Sequence, residues 1–409
     1  MKRAAVLFLA FSALSCATAP PRPPAAAPAT KPDEAILGAI AQLSEGVAQQ
    51  PTNTPWIYIL AQYHDRAHDA ENAAKWLSRL DELGWVHGAA PHDFRNTGAH
   101  PNVRAALAKL EAREPRHNRA RAAFKLANQR DLIPEGITHD PVDDVFYVTS
   151  IYRRKVVRID RKGRVTDFTS EAQDGMLSGL GVHVDAQRRL LWVASSTAPE
   201  MRGFSPELEG QSVLLAYDLR DGKLVRRIAQ GSKEAPSFLN DFAILPDGTL
   251  LITDTVRNQV ARLAPEATAL EEWLPGFAFP NGIVVDANAQ SVYVADFRGL
   301  TRVTLDGKAT QKIESQSLLN GIDGLTMHRG LLVGIQNAIG KARVIRVDPA
   351  SGQVEVLESK NAAFELPTTG VVAGDELWFI ANPGLRSFTA GAIWPIAKLA
   401  DPLLLRLPL

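Results

Sequence analysis

One sequence pattern occurs six times between about residue 120 and the C-terminus. Each copy is a short apolar segment, a turn rich in Asp, Gly or Asn, and a second apolar segment. The copies read GITHDPVDDVFYVTS, GVHVDAQRRLLWVASS, DFAILPDGTLLITD, GIVVDANAQSVYVAD, GLTMHRGLLVGIQ and GVVAGDELWFIAN. From Gly136 to Gly370 is 234 residues over five intervals, about 47 residues a repeat. Several copies continue into a third apolar run. Repeats of this kind predict a six-bladed β-propeller over residues 120–409, with four strands in each blade.

The ends of the repeat region suggest how such a ring closes. Phe124–Leu126 and Leu403–Leu409 are both apolar and lie outside the six copies. Either segment is a candidate strand of a shared final blade.

Residues 33–118 have helical spacing instead. Ile36, Ile40, Leu43 and Val47 recur at three and four residues, and Pro51 ends the run. Thr54 is the candidate N-cap of the next helix because Pro55 follows it. Leu60, Ala61, Ala73, Leu77 and Leu80 occupy the packing positions of one tetratricopeptide-like unit. These patterns predict a small helical domain that either packs against its neighbour or offers a groove to a protein partner.

The N-terminus has the layout of a bacterial lipoprotein signal. Residues 1–15, MKRAAVLFLAFSALS, combine a basic start with an apolar run too short to span a bilayer comfortably. Ala13-Leu14-Ser15-Cys16 resembles a lipobox, although Ala13 departs from the usual Leu. The alternative is an ordinary cleaved signal. Cys16 is the only cysteine, and Ala/Pro-rich residues 16–32 suit a tether. Because Ala17 follows, the resemblance implies a lipid-anchored protein of the outer membrane facing the periplasm.

Charge and motif content exclude several classes of function. Forty-five Lys and Arg residues balance forty-five Asp and Glu residues, so no broad basic field exists to hold nucleic acid. A phosphate-binding loop of the form GxxxxGK is absent, which leaves nucleotide hydrolysis unsupported.

Aligning the six copies reveals a ring of candidate metal ligands. The innermost strand of each blade begins beside the central channel, so the residues at these starts surround one axis. They are Glu135, Leu180, Asn240, Asn281, Asp323 and Thr369. Two carboxylates and two amides form an oxygen-rich set that suits a hard divalent cation, above all Ca²⁺. The alternative is that Asn and Asp stand beside Gly only to form turns with left-handed backbone conformations.

In order and blade position, these residues resemble a known group of propellers. Pro134-Glu135-Gly136, Leu239-Asn240-Asp241, Pro280-Asn281-Gly282-Ile283 and Ile322-Asp323-Gly324 resemble the motifs of the senescence-marker-protein/gluconolactonase family, with paraoxonases and diisopropyl fluorophosphatase as more distant relatives.

The resemblance implies that Glu135, Asn240, Asn281 and Asp323 bind the metal, and that Asp323 is the general base or nucleophile. Asp241 matches a ligand of a second calcium in paraoxonases, but Gly136 stands where its partner acid would be. No paraoxonase-like histidine pair is identifiable, and His183 is interpreted as a strand residue.

A metal-dependent hydrolase of lactones or related esters is therefore the first hypothesis. Loops between the second and third strands of each blade lie at the metal end of the ring and would set substrate choice; the longest is Ser195–Ser212. The alternative hypothesis is a non-enzymatic, lipid-anchored scaffold that binds peptides or envelope components and holds a structural metal. The appended helical domain and the lipid anchor favour this alternative.

Overall fold

The structure, a computed structural model, describes residues 34–409 except 90, 114, 287, 289, 338, 339 and 390. The signal segment 1–15, Cys16 and the tether 16–32 lie outside the described residues. The chain divides into two compact units. The first ends at Arg116 and takes in residues 339–341, and the second comprises residues 117–338 and 342–409.

Four helices form the first unit. They are α1 (Glu34–Gln49), α2 (Thr54–Arg66), α3 (Ala70–Glu82) and α4 (Pro101–Arg113), with a short 3₁₀ turn at Pro91–Phe94. The N-cap of α2 is Asn53, not Thr54 as predicted, because the Asn53 side chain accepts a hydrogen bond from the backbone N–H of Trp56. Asp69 caps α3 in the same way through Asn72.

The packing positions predicted in this unit form its core. Leu60, Ala61, Ala73, Leu77 and Leu80 are completely buried where α2 and α3 meet. Among the described helices, none has the length and apolar character needed to cross a membrane.

The second unit is a propeller of six four-stranded antiparallel sheets. Strand β1 (Arg121–Lys125) precedes the first complete blade. Blades 1 to 3 are β2 (Pro134–Asp140), β3 (Val145–Ser150), β4 (Val156–Ile159) and β5 (Val165–Asp167); β6 (Ser178–Asp185), β7 (Leu190–Ser196), β8 (Ser212–Asp218) and β9 (Leu224–Gln230); and β10 (Leu239–Ile244), β11 (Leu250–Asp254), β12 (Gln259–Leu263) and β13 (Glu271–Pro275).

Blades 4 to 6 complete the ring. Their strands are β14 (Ile283–Val285), β15 (Ser291–Asp296), β16 (Gly299–Thr304) and β17 (Thr310–Lys312); β18 (Ile322–His328), β19 (Leu331–Gln336), β20 (Arg343–Val347) and β21 (Val354–Ser359); and β22 (Gly370–Ala373), β23 (Glu376–Ile380) and β26 (Leu403–Pro408). A hairpin of β24 (Phe388–Thr389) and β25 (Ala392–Ile393) lies between β23 and β26. Short 3₁₀ turns occur at Gln173–Gly175 and Ile396–Lys398.

Blade 6 joins the two ends of the ring. Its sheet order is β22, β23, β26 and β1, so the strand at the start of the propeller pairs with the one at the end of the chain. Both segments proposed from sequence as closing strands therefore belong to this blade. Backbone hydrogen bonds between the first and last strands therefore close the ring.

The six sheets pack face to face through apolar side chains. Val148, Val157 and Ile159 of blade 1, for example, share a buried cluster with Ile380 and Leu404 of blade 6. Because the strands are covered on both faces, they read in sequence as nearly continuous apolar runs. This packing holds the six innermost strands, β2, β6, β10, β14, β18 and β22, around a common axis.

Candidate metal centre

The predicted ring residues lie at the channel ends of the innermost strands. Glu135 is in β2, Asn240 in β10 and Asp323 in β18, while Asn281 lies two residues before β14. The pairing of the first two strands shifts register at the ring residue in blades 1, 2, 3 and 5. At each shift two residues oppose one on the neighbouring strand, which is a β-bulge. Bulges of this kind turn a side chain out of the regular alternation, and they recur here at the candidate site.

The glycines after the ring residues are explained by close packing and not by turns. Gly136, Gly282 and Gly324 have no positive φ, and neither do the residues that precede them. A Cβ on Gly136 would lie 2.2 Å from the carbonyl oxygen of Leu180, and one on Gly282 would lie 2.5 Å from that of Asp323. Each innermost strand thus touches the backbone of the next blade. The turn interpretation of these dipeptides is therefore wrong.

Beside the ring residues, threonine hydroxyls form hydrogen bonds between neighbouring blades. Thr149 Oγ1 accepts a hydrogen bond from the Gly136 N–H (2.8 Å) and donates to the carbonyl of Leu180 (2.7 Å). Thr253 makes the equivalent link to the carbonyl of Asn281 at 2.8 Å. These hydroxyls satisfy backbone groups that the bulges remove from the strand ladder.

Amide side chains hold the carboxylate of Asp323 from both sides. Asn281 Nδ2 donates to Asp323 Oδ1 at 2.6 Å, and Asn337 Nδ2 donates to Asp323 Oδ2 at 2.5 Å. Asn337 also donates to the carbonyl of Pro367 at 2.9 Å, which fixes its own orientation. The Asp323 carboxylate is thus oriented by amides from blades 4 and 5. Each oxygen keeps a lone pair for a cation or a proton.

Asn337 is a site residue that was not predicted from the sequence. It follows the last residue of β19, and Thr255 has the equivalent place after β11, where its hydroxyl accepts a hydrogen bond from Asn240 Nδ2 at 3.1 Å. The same alignment that located the ring would have found both positions if it had been extended by one residue past each second strand.

In blade 1 the residue after the second strand, β3, is Ile151. Its side chain, unlike those of Asn337 and Thr255, cannot form a hydrogen bond. Glu135 is 6% exposed, and its Oε2 has no hydrogen-bond partner in the described structure. A buried, unpaired carboxylate oxygen is costly unless a ligand or proton meets it.

Burial and the charges of neighbouring acids raise the pKa of both ring carboxyls. For Glu135, desolvation is the main cause, and the charges of Asp323 and Asp241 add to it, so its pKa is well above the ordinary value. Desolvation raises the pKa of Asp323 to about 6, although the amides of Asn337 and Asn281 act in the opposite direction. A cation bound between the two carboxylates would lower the free-energy cost of ionising both of them.

Asp241 and His183 form a neighbouring pair. Asp241 occupies the place in blade 3 that glycine takes in the other bulges, and His183 Nε2 lies 2.8 Å from Asp241 Oδ1. His183 is a strand residue of β6, as predicted, but the strand also brings it to an acid of the next blade. The carboxylate of Asp241 is therefore already engaged on one oxygen.

Other carboxylates, at the ends of second strands, accept hydrogen bonds from nearby backbone and hydroxyl groups. Asp254 accepts hydrogen bonds from the Phe238 N–H and the Ser237 hydroxyl, and Asp296 accepts one from the Ala278 N–H. These carboxylates fix the segments that lead into the ring residues.

The ring fits a hard cation by its donor chemistry. Glu135 offers an unpaired oxygen, Asp323 two oriented oxygens, and Asn240 and Asn281 amide carbonyls. Among the described residues, no group of three or more His, Cys, Asp or Glu side chains is arranged to hold a metal, so the set depends on its two asparagines. Such a donor set suits calcium better than zinc or copper.

Comparisons with known proteins bear on the propeller alone. The family model described as the SMP-30/gluconolactonase/LRE-like region matches residues 133–378, more than half of the chain. No curated protein matches the sequence.

Solved structures share the architecture at low identity. A PQQ-bound aldose sugar dehydrogenase from Streptomyces coelicolor is 16% identical, with a TM-score of 0.50, covering 71% of this chain and 97% of that one. A protein of unknown function from Bacteroides thetaiotaomicron is 12% identical with the same TM-score, covering 71% and 75%. A gluconolactonase from Xanthomonas campestris is 17% identical with a TM-score of 0.49, covering 71% and 95%. At these identities the first two likenesses show the fold, and none of the three indicates an activity.

Proposed function

The chain belongs to the SMP-30/gluconolactonase/LRE-like family, and from this premise we propose that it is a calcium-dependent hydrolase of lactones or related esters. The observation that carries the proposal is the arrangement of Asp323, held by two amides, in the same ring as the unpaired carboxylate of Glu135. Glu135, Asn240, Asn281 and Asp323 would hold the cation. A bound Ca²⁺ would supply polarisation of the substrate carbonyl and stabilisation of the negative charge that develops on its oxygen.

Asp323 is the proposed general base. Its carboxylate is oriented by Asn281 and Asn337, and each oxygen retains a lone pair that can accept a proton from an attacking water. Without a bound metal, burial raises the pKa of this carboxyl to about 6, and a cation coordinated to the same carboxylate would lower its basicity. Nucleophilic attack by an Asp323 oxygen on the carbonyl carbon is the competing mechanism, because the same lone pair could attack carbon directly.

The scaffold hypothesis has less support. The buried, unpaired Glu135 Oε2 supports a bound cation under either hypothesis, because the scaffold would also hold a structural metal. Family membership favours the enzyme, although propellers serve many functions and the fold alone does not decide between them.

We propose in addition that lipid on Cys16 attaches the protein to the outer membrane on its periplasmic side. A hydrophobic signal followed by a lone cysteine and an Ala/Pro-rich tether supports this location. The helical unit is then a candidate surface for a protein partner.

Calcium titration of the purified full chain tests the function. The melting temperature and the hydrolysis of a panel of lactones and aryl esters are followed together, with Asn281→Ala beside the wild type and Asp306→Asn as an exposed control. We expect calcium to raise both stability and turnover in the wild type and the control. Stabilisation by calcium without turnover of any substrate would favour the scaffold, and no response in either quantity would contradict the metal centre.

A further inference from the structure

A buried apolar cluster covers one side of the ring. Its core is Ile133, Ile151, Leu180, Ala198 and Phe388, none more than 8% exposed. Partly buried apolar side chains pack around it: Tyr152, Phe238, Leu385 and Ile393. We call these nine residues the apolar wall.

The apolar wall is continuous with the candidate metal centre. Leu180 is itself the blade 2 member of the ring, Ile133 stands two residues before Glu135, and Phe238 stands two residues before Asn240. Ile151 is tied to Ile133 by a backbone hydrogen bond of 3.0 Å. Blades 1 to 3 therefore surround the channel mouth with hydrocarbon immediately beside the ring.

Blade 6 contributes to the same wall through its extra hairpin. The β24–β25 hairpin carries Phe388, which is 2% exposed, to Leu180 and Ala198 of blade 2. The Phe388 ring also lies 6.1 Å from the ring of Tyr152 on blade 1. The hairpin thus packs against residues of blades 1 and 2 as well as its own blade.

The remaining side of the ring is polar. Asn281, Asp323 and Asn337 belong to blades 4 and 5, where their amides and carboxylate face one another. Near the wall, Arg202 lies 4.8 Å above the ring of Tyr152, but its guanidinium is paired with Glu171 and Asp131. The accessible part of the wall is formed by its partly buried apolar members, Tyr152, Phe238, Leu385 and Ile393.

From this asymmetry we infer that the substrate is a lactone or ester carrying an alkyl or aryl substituent, with its carbonyl at the ring and the substituent against the apolar wall. This inference rests on the proposed function and specifies its substrate class. The hydroxyls of a polyhydroxylated lactone would lose water against the wall without gaining partners, which disfavours such substrates. An alkyl chain gains affinity there with each methylene that leaves water.

A chain-length series tests the inference without any mutation. Unsubstituted γ-butyrolactone, γ-lactones with alkyl substituents of two, four and six carbons, and glucono-lactone are compared as substrates of the full chain in calcium. The matching alkyl γ-lactams, which resist hydrolysis, are measured for binding by calorimetry. We expect kcat/KM and lactam affinity to rise about fourfold per buried methylene, with glucono-lactone the poorest substrate.

Variants then locate the effect. Leu180→Asn is expected to flatten the dependence on chain length for both turnover and lactam binding, whereas Leu180→Met keeps it. Phe388→Ala should reduce the slope as well. Val225→Ala, a truncation of an apolar side chain that is 52% exposed on the outermost strand β9 and outside the wall, should leave it unchanged. Circular dichroism and melting curves verify that each variant is folded.

The outcomes separate this inference from the proposed function. Lactone turnover that is independent of chain length, or fastest with glucono-lactone, would overturn the substrate class and retain the hydrolase. Lactam binding that strengthens with chain length, without turnover of any lactone, would retain the apolar subsite and overturn the hydrolase. Absence of both turnover and chain-dependent binding would overturn both.

Discussion

Asn281 of blade 4 donates a hydrogen bond of 2.6 Å to Asp323 of blade 5, so two candidate metal ligands from different repeats orient each other across a blade boundary. Asn337 completes the arrangement from the other oxygen of the same carboxylate. Preorganisation of this kind lowers the cost of fixing the side chains when a cation or substrate binds.

Asp323→Asn removes the proposed base while keeping nearly the same shape. We expect kcat/KM for the best lactone to fall by about 100- to 10,000-fold, because general base catalysis contributes factors of this size. Steady-state kinetics measure the loss, and Asp306→Asn serves as the control, since Asp306 is an exposed carboxylate in the turn between β16 and β17. Activity within tenfold of wild type would contradict the role of Asp323.

The metal-free protein should lose stability as the pH rises from about 4 to about 6. The pKa of Asp323 is raised from 3.8 to about 6, so in this range the folded state holds a proton that the unfolded state has released. Stability then decreases with increasing pH. Glu135, whose pKa is raised still more clearly, extends the decrease towards neutral pH. Urea denaturation in a chelator across this range measures the slope.

Calcium should oppose this loss at neutral pH, because it neutralises the carboxylates that burial disfavours. A stability profile that is flat with pH in the chelator, or equally steep with calcium, would contradict the assignment of these two groups.

Glu135→Gln is expected to have opposite effects on stability and metal binding. Removing a buried charge with an unpaired oxygen should raise the melting temperature of the metal-free protein. Losing one carboxylate should weaken calcium affinity by at least about tenfold. Calorimetric titration and thermal melts measure the two quantities. A loss of stability in the metal-free state together with unchanged calcium affinity would show that Glu135 is a packing residue.

Gly136→Ala should destabilise the propeller. The new methyl group would meet the carbonyl oxygen of Leu180 at 2.2 Å, and the backbone of two blades would have to separate, at a cost of about 1–3 kcal/mol. Gly38→Ala, in α1 with nothing within 4 Å, is the matched control and should be neutral or stabilising by up to about 1 kcal/mol. Equal effects in chemical denaturation would contradict the close approach of the innermost strands.

Cys16 provides a test of the proposed location. Mass spectrometry of the membrane-extracted protein is expected to find a lipid-modified Cys16 as the mature N-terminus. Cys16→Ser should release the protein into the soluble fraction. An unmodified N-terminus at another residue would contradict the anchor.

Much of the ring was predictable because the six copies of the repeat can be aligned with one another. Aligning six copies predicted equivalent strand starts for Glu135, Asn240, Asn281 and Asp323. The structure places three of them within innermost strands and Asn281 two residues before β14. The same logic extended to the ends of the ring, where Phe124 and Leu404 proved to belong to one blade. Asn337 was not predicted because the aligned copy of blade 5 ends at Gln336, one residue earlier.

The sequence alone determined the propeller, its six blades and the oxygen-rich ring. Six copies of an apolar strand pair at similar intervals leave few folds in which all of these strands can be buried. Only the tertiary structure decided which side chains meet. Contacts such as Asn337 with Asp323 and Phe388 with Leu180 join residues that are distant along the chain, and the angle between packed blades sets their distances. The unpaired oxygen of Glu135 also emerged only there, because the sequence does not show which polar groups lie within hydrogen-bonding distance of a side chain.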